Sequence, residues 1–293
     1  MSHQRLPTFH TGSSTPKLRL PAGSWDTHCH VFGPKERFPF APTAAIDPAD
    51  APKEKLFALH AMLGIERCVV VQSALHGVDN RAVEDALQAK GGSYLGVALL
   101  PVTVAVVELR RLDRLGFRGV RFNFMRHLQQ TASVEDVIGL GARLADIGWH
   151  LQVHMESSLI EPMSAVLKLS PVPVVIDHIG RVDASLGVEQ PRFQALLRLL
   201  QDDRFWVKVS GCDRITRAGP PYADALPFAR KLLAEFPDRV VWGTDWPHPH
   251  HAGPIPDDGM LVDIVAEMAP SQGLRHKLMV DNPQRLYDRG GSQ

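Results

Sequence analysis

The chain has 293 residues, of which 44% are hydrophobic and 22% charged, so it can bury a full-sized core and has the usual size of a single α/β barrel. Lys plus Arg and Asp plus Glu are equal at 32 each, which leaves no overall charge to attract a nucleic acid or an anionic membrane. We therefore expect neither nucleic acid nor membrane as a partner.

The N-terminal 23 residues are polar and proline-rich, without the apolar stretch of a signal peptide, and no later segment has about 18 consecutive apolar residues. Cys29, Cys68 and Cys212 are odd in number, widely spaced and in no CxxC pattern. Such usage is typical of a reducing compartment without a disulfide framework. We expect a cytoplasmic protein, with residues 1–23 as a flexible arm and residues 24–293 as one domain.

From residue 24 onward, short apolar runs alternate with amphipathic stretches. The predicted strands are 24–28, 67–72, 94–99, 118–122, 149–154, 172–178, 205–210 and 239–244. The predicted helices include 54–63, 82–89, 134–147, 159–169, 193–200 and 222–236. Eight strand-helix repeats with apolar strands predict an α/β fold, a (β/α)8 TIM barrel. The alternative is an open doubly wound sheet, but no glycine fingerprint for a dinucleotide follows the first strand.

Two long irregular segments, 31–52 after the first strand and 247–259 after the eighth, are rich in Pro, Gly or Asp. Loops of this length without secondary structure are usually functional, so we expect them to form the rim of the barrel mouth. His150 lies within a strand and is interpreted as a core residue. The histidines at 248, 250 and 251 are interpreted mainly as solvated loop residues, with His248 the strongest candidate for function.

Several predicted strands end on metal-ligating residue types, namely His28 and His30 on the first, His154 on the fifth, His178 on the sixth and Asp245 on the eighth. In a His-x-His at a strand end both imidazoles project to the same side, so both can reach one ion about 2.0–2.1 Å away. These ligands suit one divalent metal ion, zinc above all, which polarises a carbonyl and lowers the pKa of bound water. Asp245 would accept the proton of that water. The role of His154 stays open between metal ligand and substrate contact.

Arginines form a second group near the same rim, with Arg121 and Arg126 at the fourth strand, Arg181 after the sixth and Arg214 after the seventh. Guanidinium groups bind carboxylates and sulfonates in a bidentate manner, so they indicate a small anionic substrate. Each arginine alone fits a structural ion pair equally well. Arg121 and Arg214 are the strongest candidates for substrate binding.

Four motifs stand out: Asp-x-His-Cys-His-Val-Phe-Gly-Pro at 26–34, Arg-Phe-Asn-Phe at 121–124, Val-Ile-Asp-His-Ile-Gly-Arg at 175–181 and Trp-Gly-Thr-Asp-Trp-Pro-His-Pro at 242–249. Together they resemble the 2-pyrone-4,6-dicarboxylate lactonases of the amidohydrolase superfamily. With shorter matches, the resemblance runs from about residue 25 to residue 287. It implies hydrolysis of the lactone ester of a small anionic ring that is formed in the bacterial breakdown of aromatic compounds.

The resemblance also implies roles for matching positions. Asp245 would be the general base, with His28, His30 and His178 around the scissile carbonyl. Arg121 and Arg214 would hold the anionic substituents, helped by Ser73 and His76 after the second strand. The remaining candidates for substrate contacts are Arg126, His127, His154, Arg181 and His248.

Three positions depart from the family pattern. A tyrosine expected in the loop after the first strand is replaced near Ile46, an arginine expected after Arg126 is His127, and a tyrosine expected at the end of the fifth strand is His154. The first two changes remove contacts to a dicarboxylate. The third restores a ligand that metal-dependent relatives supply from the fifth strand, whereas the pyrone dicarboxylate lactonases work without a metal. A metal-dependent 4-sulfomuconolactone hydrolase is therefore the main alternative.

Two further classes compete with a lactonase. Zinc-dependent non-oxidative decarboxylases share the His-x-His and the strand-eight Asp, but they usually begin with Glu-x-His-x-His, and position 26 is Asp. A barrel that binds without catalysis would need a damaged site, whereas His28, His30, His178 and Asp245 are all present.

Overall fold

The computed structural model describes residues 5–128, 132–251 and 253–288. The strands are β1 (Trp25–Cys29), β2 (Arg67–Val71), β3 (Tyr94–Ala98), β4 (Phe117–Phe124), β5 (His150–Met155), β6 (Val174–Ile176), β7 (Phe205–Lys208) and β8 (Val240–Val241). The helices are α1 (Lys53–Leu63), α2 (Arg81–Lys90), α3 (Val106–Arg114), α4 (Val134–Ala145), α5 (Ile160–Leu167), α6 (Pro191–Leu200), α7 (Cys212–Ile215), α8 (Leu226–Glu235), α9 (Asp258–Met268), α10 (Gln272–His276) and α11 (Asn282–Tyr287). Each strand pairs in parallel with its neighbour in sequence, so the eight strands form one sheet in chain order.

The first and last strands meet through backbone bonds that lie beyond the short β8. Thr27 N donates to Trp242 O at 2.9 Å, and Asp245 N donates to His28 O at 2.7 Å. A Cβ at Gly243 would lie 2.5 Å from His28 N, so only glycine permits this close approach. These contacts close the sheet, and the predicted (β/α)8 barrel is confirmed.

The lower end of the barrel is filled by an aromatic plug from the last helix. Tyr287 of α11 is fully buried and stacks on Trp25, with ring centroids 6.3 Å apart. The His150 ring packs against it edge-on at 5.2 Å. Because Trp25 and His150 begin their strands, this plug lies at the N-terminal end of the barrel, which agrees with the interpretation of His150 as a core residue. The opposite end is left for the site.

All eight predicted strands are present, with boundaries displaced by a few residues. The six predicted helices are also present, although the last of them begins at Leu226 rather than at residue 222. Other helices were not among those predicted. These include α3 between β3 and β4, and α9, α10 and α11 after β8. None of the helices in the described ranges is long and apolar enough to span a bilayer.

Residues 5–23 form neither helix nor strand and run along the outside of the barrel. Phe9 is 4% exposed and packs on Trp246, with ring centroids 5.2 Å apart. The backbone amides of Lys17 and Leu18 both donate to the Asp263 carboxylate, at 2.7 and 2.8 Å. The segment that we expected to be a loose arm therefore makes specific contacts with the barrel, and the domain boundary at residue 23 stays a prediction.

Candidate active site

Three histidines and one carboxylate meet where β1, β6 and β8 end. Asp245 Oδ1 lies 3.3 Å from the Nε2 of His30, 3.6 Å from that of His28 and 3.8 Å from that of His178. All four side chains are at most 3% exposed. The sequence prediction that these strand ends form one cluster is met by the geometry, because the carboxyl ends of parallel barrel strands share one face.

Two members of this cluster have unfavourable backbone conformations. His178 has a φ of 49° and Asp245 a φ of 63°, in the left-handed region that residues with a side chain rarely adopt. Such conformations cost on the order of 1–3 kcal/mol and persist where the surrounding structure enforces them, often at functional sites. The strain turns both side chains inward at the point where their strands end.

Arg214 of the short α7 holds one edge of the Asp245 carboxylate. Its Nε and Nη2 donate to Oδ2 at 2.7 and 2.6 Å, which leaves Oδ1 to face the histidines. Burial opposes ionisation, but Arg214 outweighs it and holds the pKa of the Asp245 carboxyl well below its usual range. Asp245 is therefore a carboxylate with one oxygen free for chemistry.

Burial disfavours the charged form of three imidazoles in and beside this cluster. Burial lowers the pKa of His178 to about 3 and holds the pKa of His28 and His154 well below the usual value. His30 Nδ1 lies 2.7 Å from Val71 O, a carbonyl that can only accept, so Nδ1 carries a proton, and His30 Nε2 lies 3.3 Å from Asp245 Oδ1. Neutral imidazole nitrogens are metal ligands and proton acceptors.

A buried polar layer that the sequence analysis did not anticipate supports the cluster from below. Lys208 Nζ donates to Thr27 O at 2.8 Å and to Gln152 Oε1 at 2.9 Å, and lies 3.2 Å from His28 Nδ1. Burial lowers the pKa of Lys208 to about 8, against the opposing charge of Asp177. The one available signal was a lysine inside the apolar run of β7, because a lysine is almost never fully buried without partners.

Arg121 has an acidic hydrogen-bond partner, whereas Arg181 has none within the described ranges. Arg121 Nε donates to Asp177 Oδ2 at 2.8 Å, so part of its charge serves the buried layer. Arg181 has no hydrogen-bond or ion-pair partner within the described ranges, although it lines the same pocket as Arg121 and Arg214. Burial and the nearby Arg214 lower the pKa of Arg181 to about 10, which still leaves the group charged at neutral pH. An unpaired guanidinium in a pocket is a place for an anion.

The remaining predicted substrate residues separate into those that line the pocket and those that do not. Ser73, His127 and His154 line it, as does His250, which we had interpreted as a solvated loop residue. His76 Nδ1 bonds to Pro39 O and its Nε2 accepts from Gly33 N, so it fixes the loop after β1. Arg126 is exposed, and His248 Nε2 lies 3.1 Å from the buried Asp258. These last three residues are not among those that line the pocket.

The donor set fits a divalent ion. One ligand atom from each of His28, His178 and Asp245 lies within 4.8 Å of the others. In the described part of the chain, the Nε2 atoms of His28 and His154 are buried without a hydrogen-bond partner, as expected of nitrogens kept for a ligand. His154 stands beside this group and not within it. Its ring lies 5.4 Å from that of His178, and its Nδ1 lies 3.2 Å from Asn123 Oδ1.

A second cluster of metal-ligating types lies behind β1. Cys29 and Cys68 are free thiols with their sulfurs 3.1 Å apart, and His60 completes the group. His60 Nε2 lies 3.2 Å from Asp26 Oδ2 and its Nδ1 lies 2.6 Å from the Tyr94 hydroxyl. Both ring nitrogens are thus already engaged. Although burial alone would lower it, hydrogen bonds with Asp26 and Cys29 raise the pKa of His60 to about 9.

Comparison with known proteins agrees with this geometry. The model of the amidohydrolase family matches residues 25–289. The chain is 42% identical to the 2-pyrone-4,6-dicarboxylate hydrolase of Comamonas testosteroni over 95% of this chain and 94% of that protein. It is 40% identical to the 4-sulfomuconolactone hydrolase of Rhizobium radiobacter over 92% of this chain and 91% of that one. A Pseudomonas putida structure described as a 2-pyrone-4,6-dicarboxylic acid hydrolase superposes with a TM-score of 0.79 at 33% identity, covering 92% of this chain and 98% of that one.

The barrel and the strand-end cluster of histidines and aspartate therefore define an enzyme-type site of the amidohydrolase kind. The chain belongs to the amidohydrolase family.

Proposed function

We propose that this protein is a lactonase that hydrolyses the ester bond of a small anionic lactone, 2-pyrone-4,6-dicarboxylate or a close analogue. The observation that carries the proposal is the free oxygen of Asp245, which faces the imidazoles of His28, His30 and His178 beside a pocket lined by three arginines. A hydrolase that acts on an anionic lactone needs a base to activate water and a cation to bind the anionic group, and this pocket has both.

Asp245 Oδ1 takes a proton from the attacking water while the water oxygen bonds to the lactone carbonyl carbon. The ring C–O bond then breaks, and Asp245 returns the proton to the departing ring oxygen. Arg214 keeps Asp245 ionised through its two bonds to Oδ2, so the base is ready at neutral pH. The low pKa of Asp245 makes it a weak base, so the attacking water needs activation by neighbouring groups.

Arg181 binds the anionic substituent, because it has no carboxylate partner within the described residues. Arg121 assists from the fourth strand, where only its Nε is engaged by Asp177. Ser73 and His127 are placed on the pocket wall to complete the contacts. Fixing the anion orients the lactone carbonyl toward Asp245, and such positioning is a large part of enzymatic rate enhancement.

We also propose that His28, His178 and Asp245 hold one divalent ion, zinc, with His30 and His154 beside them. When bound, such an ion polarises the carbonyl and lowers the pKa of water. The neutral state of His28 and His178 keeps their nitrogens free for coordination. In the described part of the chain, the buried Nε2 of His154 has no other partner, so it would either join the ligands or accept a hydrogen bond from the substrate.

The second candidate substrate is 4-sulfomuconolactone, on which the Rhizobium radiobacter relative is named to act. His154 favours it, because an imidazole at the end of β5 suits a metal-dependent hydrolase. His127 also favours it, because this position departs from the arginine expected for a dicarboxylate. A single sulfonate needs fewer guanidinium contacts than two carboxylates.

The test is the rate of hydrolysis of both lactones by the purified protein and by Asp245→Asn. We expect kcat/KM for the preferred lactone to fall by about 10²–10⁴ in the variant, as is common when a general base is lost. Asp203→Asn is the matched control, because Asp203 is 97% exposed and far from the pocket lining. Near-normal turnover by Asp245→Asn would mean that Asp245 is not the base, and carbon dioxide release in the same reactions would favour a decarboxylase.

A further inference from the structure

The catalytic pocket opens into a second recess on the side of β2, β3 and β4. Ala74, Arg121, His127, Leu128 and His250 line both spaces. A ligand bound at the arginines therefore has one end next to this recess. The recess is a continuation of the catalytic pocket and not a separate surface groove.

The recess differs from the catalytic pocket in chemistry. Beyond the shared wall its lining is mainly apolar, and includes Ala45, Leu75, Leu99, Leu100 and Phe122. Arg121 is the only Arg, Lys, Asp or Glu in the described lining of the recess, and it lies on the wall that the recess shares with the catalytic pocket. Nothing in the recess itself calls for a second anionic group.

The recess has a volume of about 100 Å³. An apolar cavity of roughly 150 Å³ accepts benzene, so this volume suits a chain of about three or four carbon atoms. Val78 on the wall of the recess is 59% exposed, so a ligand bound there would cover part of its apolar surface. Burying apolar surface of this kind is favourable by about 25 cal/mol per Å².

We propose that the recess binds an apolar substituent of three or four carbon atoms on the anionic lactone. This inference rests on the proposed function and names its substrate class. The anionic group lies on Arg181 and Arg121, the carbonyl faces Asp245, and the alkyl substituent extends past Arg121 between Leu75 and Leu100. The substrate is then an alkyl-substituted anionic lactone, polar at one end and apolar at the other.

The first test is a series of anionic lactones of one ring type that carry hydrogen, methyl, ethyl, propyl or hexyl at the same ring position. We expect kcat/KM to rise about fourfold for each added carbon up to propyl, since burying one methylene is worth about 0.8 kcal/mol. The hexyl compound should fall below the propyl compound, because its chain exceeds the recess.

The second test fills the recess. Ala45→Leu adds a large side chain from a loop position, and we expect the ratio of kcat/KM for propyl over hydrogen to drop at least tenfold. Thr43→Leu on the same loop is a second filling variant, should the first fold poorly. Ala145→Leu is the control, because Ala145 is an exposed residue at the end of α4 and should leave the ratio unchanged.

Equal kcat/KM across the alkyl series, or a ratio that Ala45→Leu and Thr43→Leu do not move, overturns the recess as an alkyl site while hydrolysis itself stands. If no member of the series is hydrolysed, the proposed function fails instead. The two failures are therefore distinguishable in one set of assays.

Discussion

The molecule has two buried clusters of metal-ligating residue types. They differ in whether their nitrogen, oxygen and sulfur atoms are free for a ligand or are already hydrogen-bonded within the protein. In the pocket cluster, His178 and Asp245 line the pocket, and His28 Nε2 lies 3.6 Å from Asp245 Oδ1. In the rear cluster, Cys29, His60 and Cys68 bond to one another and to Asp26 and Tyr94. None of these three lines a described cavity. Both clusters bring three metal-ligating side chains close enough for one ion, so contact with the pocket and unused lone pairs distinguish a site from a structural network.

The clusters also hold their histidines in opposite charge states. His178 in the pocket is neutral because burial lowers its pKa to about 3. His60 in the rear is a cation, since its hydrogen bonds with Asp26 and Cys29 more than offset burial and raise its pKa to about 9. Because the Asp26 side chain lies 3.2 Å from His60 Nε2 and also accepts from His28 N and Thr244 N, the rear cluster fixes β1 against β8. We therefore expect changes in the rear cluster to alter stability and changes in the pocket to alter catalysis.

The largest expected effect is on stability. Asp26→Ala removes the carboxylate that accepts from His28 N, Thr244 and His60, and leaves a buried cation. Breaking one partner of a buried ion pair costs about 3–5 kcal/mol. Urea unfolding followed by circular dichroism should show a loss of that size. An unfolding free energy within 1 kcal/mol of the parent protein would contradict the role of Asp26 as the link between β1 and β8.

If the pocket cluster holds the proposed divalent ion, removal of that ion should reduce turnover by about a hundredfold, corresponding to about 2.7 kcal/mol, because the ion would supply Lewis-acid and water-activating chemistry. The measurement is lactone hydrolysis together with elemental analysis, before and after dialysis against a chelator and after zinc is returned. Cys68→Ser should retain the metal and His178→Ala should lose it, if the pocket cluster is the site. Full activity of a metal-free protein would exclude the ion from the mechanism.

The pH dependence of stability should have opposite signs in the two clusters. In the unfolded state His178 takes up a proton near pH 6.5, whereas in the folded state it does so only near pH 3. The contribution of His178 to the free energy of unfolding is therefore complete above pH 6.5 and is lost as pH falls. The contribution of His60 is complete below pH 6.5 and is lost as pH rises toward about 9. Each slope is about 1.4 kcal/mol per pH unit. Unfolding free energies measured from pH 5 to 9 should lack the His178 contribution below pH 6.5 in His178→Gln and the His60 contribution above pH 6.5 in His60→Gln. Profiles identical to that of the parent protein would refute the assignment.

The smallest expected effect on catalysis is that of Tyr94→Phe, which removes the hydroxyl that accepts from His60 Nδ1. A hydrogen bond to a charged group contributes about 1.5–3 kcal/mol to stability, but kcat/KM should stay within twofold because Tyr94 lies outside the pocket lining. Thermal unfolding and steady-state kinetics measure both quantities. A tenfold loss of kcat/KM without a change in stability would tie the rear cluster to catalysis.

The sequence by itself determined the barrel and which strand-end residues meet at its mouth. Continuous apolar runs specify strands that are covered on both faces, and parallel connectivity brings all their carboxyl ends to one face. Polar residues at the ends of the first, sixth and eighth strands therefore had to meet. This is why His28, His30, His178 and Asp245 could be grouped without a structure, and why Arg121 and Arg214 could be named as candidates at the same rim.

Only the tertiary structure decided which lone pairs are free. It showed that Asp177 engages Arg121, that Lys208 lies beneath His28, and that His76 bonds to loop backbone. These outcomes depend on the directions of side chains from distant elements, and neither periodicity nor motif spacing encodes such directions. The apolar recess likewise arises from loop and strand residues far apart in the chain, so its shape exists only once the barrel has closed.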